Sequence, residues 1–416
     1  MKSPKCLFIS TEVPYNPKSG GMQRTNHFHH LLKKIADVDT VVLRSLKDYS
    51  DEESILLNTS HKIVAFISLK PRIEFLANTL HKFRVGLFMP LCILIARIIN
   101  AIFPEKAYYK CDNRVRAEFL NRVNIKDYDF IVGRYASSVA KLGLDKMSHE
   151  KIFIDVDDLH SEVIASRLEQ KTDKCLNKLI LKRMYSRLKF FEQSFYERIQ
   201  YKWVSNKCNK EIHYLSDSTF LPNIAYQNID AKEMHLPNIE CQSIACIASF
   251  SHKPNIVGLD WFLNNVWTLI SAQSSEIELN IYGPHLSPKL KKKWKAFKNI
   301  NFKGFVDHIS EAYHKSFLSI CPTLYGGGTN IKVIEAAKYK RICLVTPYAS
   351  KVLPEVSTSD YFICGNPNEF ASRVLELSRS EGLLSRKTKM FIELFDQVPS
   401  LDDFGTILTE TINSKL

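Results

Sequence analysis

The ten cysteines of this 416-residue chain include no pair at C-x-x-C spacing. Metal clusters and thioredoxin-type sites therefore have no support, and a disulfide framework is not expected in so long a chain. No helix-turn-helix, zinc-finger or RNA-binding signature is present, so nucleic acid is not an expected partner. There is no low-complexity tract, and a composition of 45% hydrophobic and 24% charged residues is that of a folded globular protein. Acidic residues are in deficit, 44 Asp+Glu against 57 Lys+Arg, for a formal net charge of +13. That surplus favours anionic partners: phosphorylated substrates or an anionic membrane face.

A secretory leader is not expected either. In "MKSPKCLFISTEVP" the apolar run Cys6–Ser10 is too short for a signal-peptide core, and no small-residue cleavage site follows. It reads as the first buried strand of a cytoplasmic protein with reduced thiols. One segment, Val85–Phe103, has the length of a spanning helix. Pro90 interrupts it, and Arg97 and Asn100 lie inside it, which hydrocarbon would tolerate poorly. With Lys82, Arg84, Lys106 and Lys110 around it, it reads as an amphipathic surface helix with a basic rim, or as a buried core helix.

A chain of this length exceeds one ordinary core, so at least two domains are expected. Strand-like runs ("KCLFIS", "DTVVL", "HKIVAFIS", "DFIVGR", "KIFIDV") alternate with helical patterns, which implies βαβ units and a parallel sheet. "LPNIAYQNIDAKEMHLPNIE" is polar and holds two Leu-Pro-Asn turns. After it the alternation restarts with "SIACIAS", "IELNIYG", "INFKGFV", "LSICPT" and "RICLVT". The expected bounds are an N-terminal α/β domain over 1–220, a linker over 221–242, a second α/β domain over 243–395 and a terminal helix over 396–416. Ligands of such folds bind at the C-terminal ends of the strands.

The most organised passage is "CPTLYGGGTNIKVIEAAKYKRICLVTP". Gly326–Gly328 follow a strand and precede a helix. A helix N-terminus presents free N–H groups and a positive dipole end, and glycine lets backbone approach a phosphate closely. Thr329 suits a helix cap and a phosphate donor. Lys332 adds a point charge within one turn, while Glu335, a turn further, can accept from sugar hydroxyls. Together they suggest a site for a nucleotide diphosphate and its ribose; alone, the spacing also fits a tight turn with a surface Lys and Glu. Gly20 and Gly21, after "PKS", form a second anion-binding helix start, with Ser19 as a cap. "IFIDVDDLHSE" clusters Asp155, Asp157, Asp158, His160 and Glu162 after a strand, in keeping with acid–base work, a divalent cation or helix capping. Arg134, at a strand end, could meet an acceptor phosphate. His27, His29 and His30 in "TNHFHH" read as helix surface.

The passage "GGGTNIKVIEAAKYKRICLVT" resembles the donor-binding motif of the group 1 glycosyltransferases, retaining enzymes of the GT-B fold. "PKSGGMQRTNHFHHLL", "LPNI", "ASFSHKPNIVGLDWFLNNVW" and "GFVDHISEAYHKSFLSICP" are similar, in order, to further segments of that family. The resemblance implies two Rossmann-like α/β domains facing across a cleft. It implies that Glu335 binds the ribose of a nucleotide sugar, and that Gly327, Gly328 and Thr329 cradle the diphosphate. Many members carry a glutamate seven residues before this one, where Gly327 stands, as in other members with a GGGT loop. Lys253, with His252 a weaker choice, is the expected neutralising cation of the first C-domain loop. Where members often have a histidine–aspartate pair this chain has Asp157 and Asp158, the expected catalytic or sugar-orienting residues, with His160 a substitute from the next turn. No cofactor or metal is expected.

The activity implied is transfer of a hexose-type unit from a nucleotide sugar to a glycan with retention. The basic surplus and the Val85–Phe103 segment suggest a lipid-linked acceptor, a part in cell-surface polysaccharide or lipopolysaccharide synthesis, and a place on the inner face of the cytoplasmic membrane. A sugar-nucleotide epimerase or hydrolase of the same fold, and a non-enzymatic polyanion-binding protein, are the alternatives.

Overall fold

The computed structural model describes residues 3–15, 20–44, 63–67, 102–147, 151–169, 175–224, 235–396 and 399–416. Most of Val85–Phe103, Ser19 and the middle of the 221–242 segment lie outside them. The chain divides into two compact units: Met1–Pro222 with Asp402–Leu416, and Asn223–Leu401. Set beside the expected bounds, this division has no separate linker body, and the chain rejoins the first unit at Asp402 rather than 396.

The first unit is built on a parallel sheet of seven strands: β1 (Lys5–Ser10), β2 (Asp37–Val42), β3 (Ile63–Phe66), β4 (Phe130–Arg134), β5 (Ile152–Val156), β6 (Tyr201–Val204) and β7 (Thr219–Phe220). Their order across the sheet is β3-β2-β1-β4-β5-β6-β7. Strands covered on both faces need unbroken apolar runs, which is what "CLFI", "FIV" and "IFI" supply. Every residue of β4 and β5 is buried, Arg134 and Asp155 included. The helices used below are α1 (Gly20–Ile35), α2 (Ala136–Ala140), α3 (His160–Leu168) and α4 (Cys175–Tyr196). Leu188, Phe195 and Tyr196 of α4 join Leu7, Ile9, Ile131 and Ile154 in the core on one face of the sheet.

The second unit has a five-stranded parallel sheet: β8 (Ser243–Ile247), β9 (Glu278–Tyr282), β10 (Ile300–Gly304), β11 (Leu318–Cys321) and β12 (Ile342–Val345), in the order β10-β9-β8-β11-β12. Helix α5 (Lys253–Phe262) runs on through a π turn, Leu263–Trp267; α6 (Ile331–Lys338), α7 (Pro367–Arg379) and α8 (Glu381–Glu393) complete the elements that matter here. Asn366 caps α7 by accepting from Glu369 N (3.0 Å), and Ser380 caps α8 by accepting from Leu383 N (3.3 Å). Gly258 lets α5 lie on the loop after β11, since a Cβ there would sit 2.4 Å from the Pro322 carbonyl oxygen.

The chain ends in α9 (Leu401–Asn413), whose Phe404, Leu408 and Ile412 recur at helical spacing and are buried in the first unit. Phe404 meets Phe28 edge-on at 5.3 Å, and Gly405 leaves room for Leu31 of α1. This packing corrects the reading of the α1 histidines as helix surface. His27 lies against Phe404, and His29 lies between Phe8 and Tyr15, whose hydroxyl is 3.2 Å from its Nε2. Both are buried; His30 is exposed. A single-helix pattern cannot reveal a cover supplied by the far end of the chain.

In both sheets the strand order reverses at one point, between β1 and β4 and between β8 and β11. Connections leave such a point in opposite directions and open a crevice at the strands' C-terminal ends, where α/β folds bind ligands. The glycine-led helices predicted from sequence begin at these two places.

Candidate active site

In the second unit, α5 follows β8 and α6 follows β11, so two helix N-termini meet at the switch point. The first turn of α6 is tied to that of α5: Lys332 Nζ donates to Asn255 Oδ1 at 3.1 Å. Partial burial and then the charge of Lys332 lower the His252 pKa, which puts Lys332 beside the α5 cap as well. Lys253 opens α5 and is exposed. Gly326 (φ 156°) passes Pro254 and the Tyr348 hydroxyl, each 3.7 Å from where a Cβ would be. Gly328, at φ 64°, is left-handed, a conformation that costs glycine little. Gly327, Gly328 and Thr329 are half-buried, and Glu335 is buried in the second turn of α6.

Thr329 is not the helix cap. Asn330 occupies that position without a side-chain bond, and Thr329 Oγ1 accepts from Asn223 Nδ2 at 3.0 Å instead. The backbone there makes an Ile331 N to Thr329 O bond of 2.8 Å. Beside this region, at the ends of β9 and β10, a cavity of about 330 Å³ is lined by Phe250, Phe302, Phe305, Lys291 and Lys303.

In the first unit, α1 begins at Gly20 beside the β1–β4 switch point. Asp155 of β5 is the hub. Arg24 reaches it bidentately (Nη2 to Oδ1 2.6 Å, Nε to Oδ2 2.9 Å), and Arg134 donates from Nη1 to Oδ2 at 2.6 Å. Arg134 Nη2 donates to Asp157 Oδ2 (2.7 Å) and to the Tyr135 hydroxyl (3.2 Å). Arg134 is fully buried, which corrects its expected role: a guanidinium occupied by two carboxylates and sealed from solvent positions its neighbours and does not meet an acceptor phosphate. Gly21 has its own reason here, because a Cβ would fall 2.6 Å from the Tyr135 hydroxyl. Tyr135 carries the strained φ of 67°.

Asp157 and Asp158 follow β5. Asp157 is held by Arg134 and stays partly exposed. Asp158 Oδ1 is buried without a hydrogen-bond partner, and burial, then the Asp157 charge, push its pKa up to about 7. Glu12, at the end of β1, was not singled out by sequence. Its Oε2 is likewise buried and unmet, and burial foremost raises its pKa, with Arg134 opposing. His160 does not stand in for a site histidine. It stacks on Tyr108 (3.6 Å between centroids) and bonds the Tyr109 hydroxyl (3.0 Å), and burial lowers its pKa to about 4. The Tyr109 hydroxyl donates in turn to Glu192 Oε1 (2.6 Å).

The structure thus gathers Gly20, Gly21, Arg134, Asp157 and Asp158 at one switch point, and Lys253, Gly327, Gly328, Thr329, Lys332 and Glu335 at the other. Asn255 and Asn223 were overlooked, although both lie in quoted motifs, "SHKPN" and "LPNI". Among the described residues no group of three or more His, Cys, Asp or Glu side chains is placed to hold a metal ion. Nor is any helix among them long and apolar enough to cross a membrane.

Comparison with known proteins bears on the second unit and on the fold. A family model described as glycosyl transferases group 1 matches residues 241–380. No curated protein matches the chain by sequence. Among solved structures, S. aureus TarM is similar at 11% identity and a TM-score of 0.63, covering 99% of each chain. Sucrose-phosphate synthase from Thermosynechococcus elongatus is similar at 12% identity and a TM-score of 0.60, again over 99% of each. HepE of Anabaena, solved with UDP and glucose, is similar at 11% identity and a TM-score of 0.59, over 99% of this chain and 100% of its own. At such identities the likeness is one of fold. Residues 241–380 thus match the group 1 glycosyl transferase model, and across its length the chain has the two-Rossmann GT-B fold of these solved structures.

Proposed function

We propose that the protein is a retaining glycosyltransferase that moves a hexose unit from a nucleotide sugar to a glycan or lipid-linked acceptor at a membrane face. One observation carries the reading: two helix N-termini converge at the β8–β11 switch point, with Lys332 spanning them and Glu335 buried one turn behind. Dipole ends and lysines stabilise the diphosphate as it departs, when its charge is greatest. In this reading Gly327, Gly328 and Thr329 bring backbone N–H groups to the diphosphate. Lys253 and Lys332 neutralise it, and Glu335 accepts from the ribose hydroxyls. The cavity lined by Phe250, Phe302 and Phe305 suits the base. UDP in the TarM and HepE complexes supports a uridine donor.

In the first unit, Asp157 and Asp158 act on the sugar side, with Arg24, Arg134 and Asp155 fixing the loop that bears them. A carboxyl with a raised pKa can donate to or accept from a hydroxyl near neutrality. Retention rests on the family resemblance; the lipid-linked acceptor and a part in cell-surface polysaccharide or lipopolysaccharide synthesis rest on the basic surplus and the Val85–Phe103 segment.

Thermal unfolding measured with UDP-, GDP- and ADP-hexoses tests the donor assignment. One class should raise Tm by several degrees, and Glu335→Ala should abolish the shift and the turnover. Near-normal transfer by Glu335→Ala would remove the ribose role.

A further inference from the structure

Helix α4 has two faces of different character. Inward it buries Leu181, Leu188, Phe195 and Glu192. Outward it exposes large apolar side chains: Phe190 is 68% exposed, Leu179 61% and Ile180 40%. At 100° per residue Leu179 and Phe190 lie on one line along the helix, about three turns apart. Lys182 and Lys189 run along one side of that line and Arg183 along the other; Lys178 precedes it. From Asn177 to Phe191 the helix contains no acidic residue. None of these four basic side chains makes an ion pair with a described residue, whereas Arg187 is spent on Glu105 (2.7 Å).

An apolar line bordered by cations is poorly matched to water and well matched to the boundary between lipid headgroups and acyl chains. We propose that the outward face of α4 docks on an anionic lipid bilayer, with Leu179, Ile180 and Phe190 entering the acyl boundary and Lys178, Lys182, Arg183 and Lys189 meeting lipid phosphates. A polyanion such as RNA would engage the cations but gives three large apolar side chains nothing to enter, so lipid is the better fit. The buried side of the same helix holds the loop after Asp157 and Asp158: Glu192 accepts from Ser161 N (3.0 Å) at the start of α3. Docking would set that loop about one helix diameter from the bilayer. This deepens the proposed membrane-face acceptor and rests on that reading for its purpose, while the docking itself does not depend on the donor site.

The test is flotation of the full chain with phosphatidylcholine vesicles, with and without phosphatidylglycerol. Two variants accompany it, Lys182→Glu/Arg183→Glu/Lys189→Glu and Leu179→Ser/Phe190→Ser, both on exposed positions. The unmodified chain should float only with the anionic vesicles. Each variant should lose at least about tenfold in the bound fraction, the charge variant because each cation near an anionic surface contributes several-fold. Both should keep the unmodified Tm and its shift with UDP. No flotation of the unmodified chain, or flotation of either variant at the unmodified level, overturns the docking surface. Loss in the charge variant alone, with RNA competing for the chain, overturns it in favour of a polyanion site. A missing UDP shift with flotation intact would instead strike the donor reading.

Discussion

Lys332 Nζ donates to Asn255 Oδ1 across 3.1 Å, joining the first turns of two helices that leave neighbouring strands. The bond brings two positive helix ends to one place and holds a lysine there that would otherwise be pushed away. In the proposed reading, the diphosphate meets backbone N–H groups and a fixed cation here without ordering them first.

Lys332→Ala should therefore weaken UDP binding by roughly tenfold to a hundredfold, the worth of one charged hydrogen bond. Uridine, which lacks the diphosphate, should be unaffected. Calorimetric titration of both ligands checks this, and equal losses for the two would remove Lys332 from the diphosphate.

Asp155→Asn tests the buried hub of the first unit. Arg24 and Arg134 both spend hydrogen bonds on this carboxylate, and neither has solvent to fall back on. Removing one partner from a buried ionic cluster typically costs about 3–5 kcal/mol. Urea denaturation should register a loss of that order, whereas a loss under about 1 kcal/mol would mean the guanidiniums had found other partners.

Gly258→Ala would place a methyl 2.4 Å from the Pro322 carbonyl oxygen, a backbone atom that cannot step aside. Overpacking of this kind costs about 1–3 kcal/mol. Since α5 carries Lys253 and Asn255, its displacement should weaken UDP binding as well, while leaving the fold assembled. Unchanged stability and unchanged affinity together would show that α5 does not need this close approach.

Asp158 gives a pH dependence of definite sign. Its pKa is raised to about 7 by burial and then by Asp157, against an unfolded value near 4. Between those values the native state holds a proton the unfolded chain has lost. The group's contribution is thus fully present below about pH 4 and is lost as pH rises through 7. Asp158→Asn should raise Tm by a few degrees at pH 8 and by about a third as much at pH 5, where the unfolded carboxyl has ionised and the native one has not. A gain of equal size at both pH values would remove proton binding at Asp158 as the cause.

The fold was legible to the extent that strands announced themselves. The runs "FIVGR" and "IFIDV" predicted central parallel strands because only full burial tolerates so few polar residues, and β4 and β5 lie where expected. The glycine loop was legible as a turn of unusual backbone freedom, which Gly326 at φ 156° and Gly328 at φ 64° use. What could not be read were relations across distance. Arg134 looked like a free cation at a strand end, since nothing local tells that Asp155 of the next strand and Asp157 just beyond that strand enclose it. His27 and His29 looked like surface because their cover, Phe8 and Phe404, comes from opposite ends of the chain. Thr329 looked like a cap until Asn223, more than a hundred residues earlier, took its hydroxyl.

The sequence by itself determined the alternation of buried strands and helices, the positions of the glycine turns and the residue types available for an anion site. These follow from local rules of burial, backbone freedom and dipole direction, which act over a few residues. Tertiary structure alone decided which charges are spent on one another. Polar partners are chosen by strand order, which places separated segments side by side: Arg24 of α1 against Asp155 of β5 in the first unit, Lys332 against Asn255 at the β8–β11 switch point in the second.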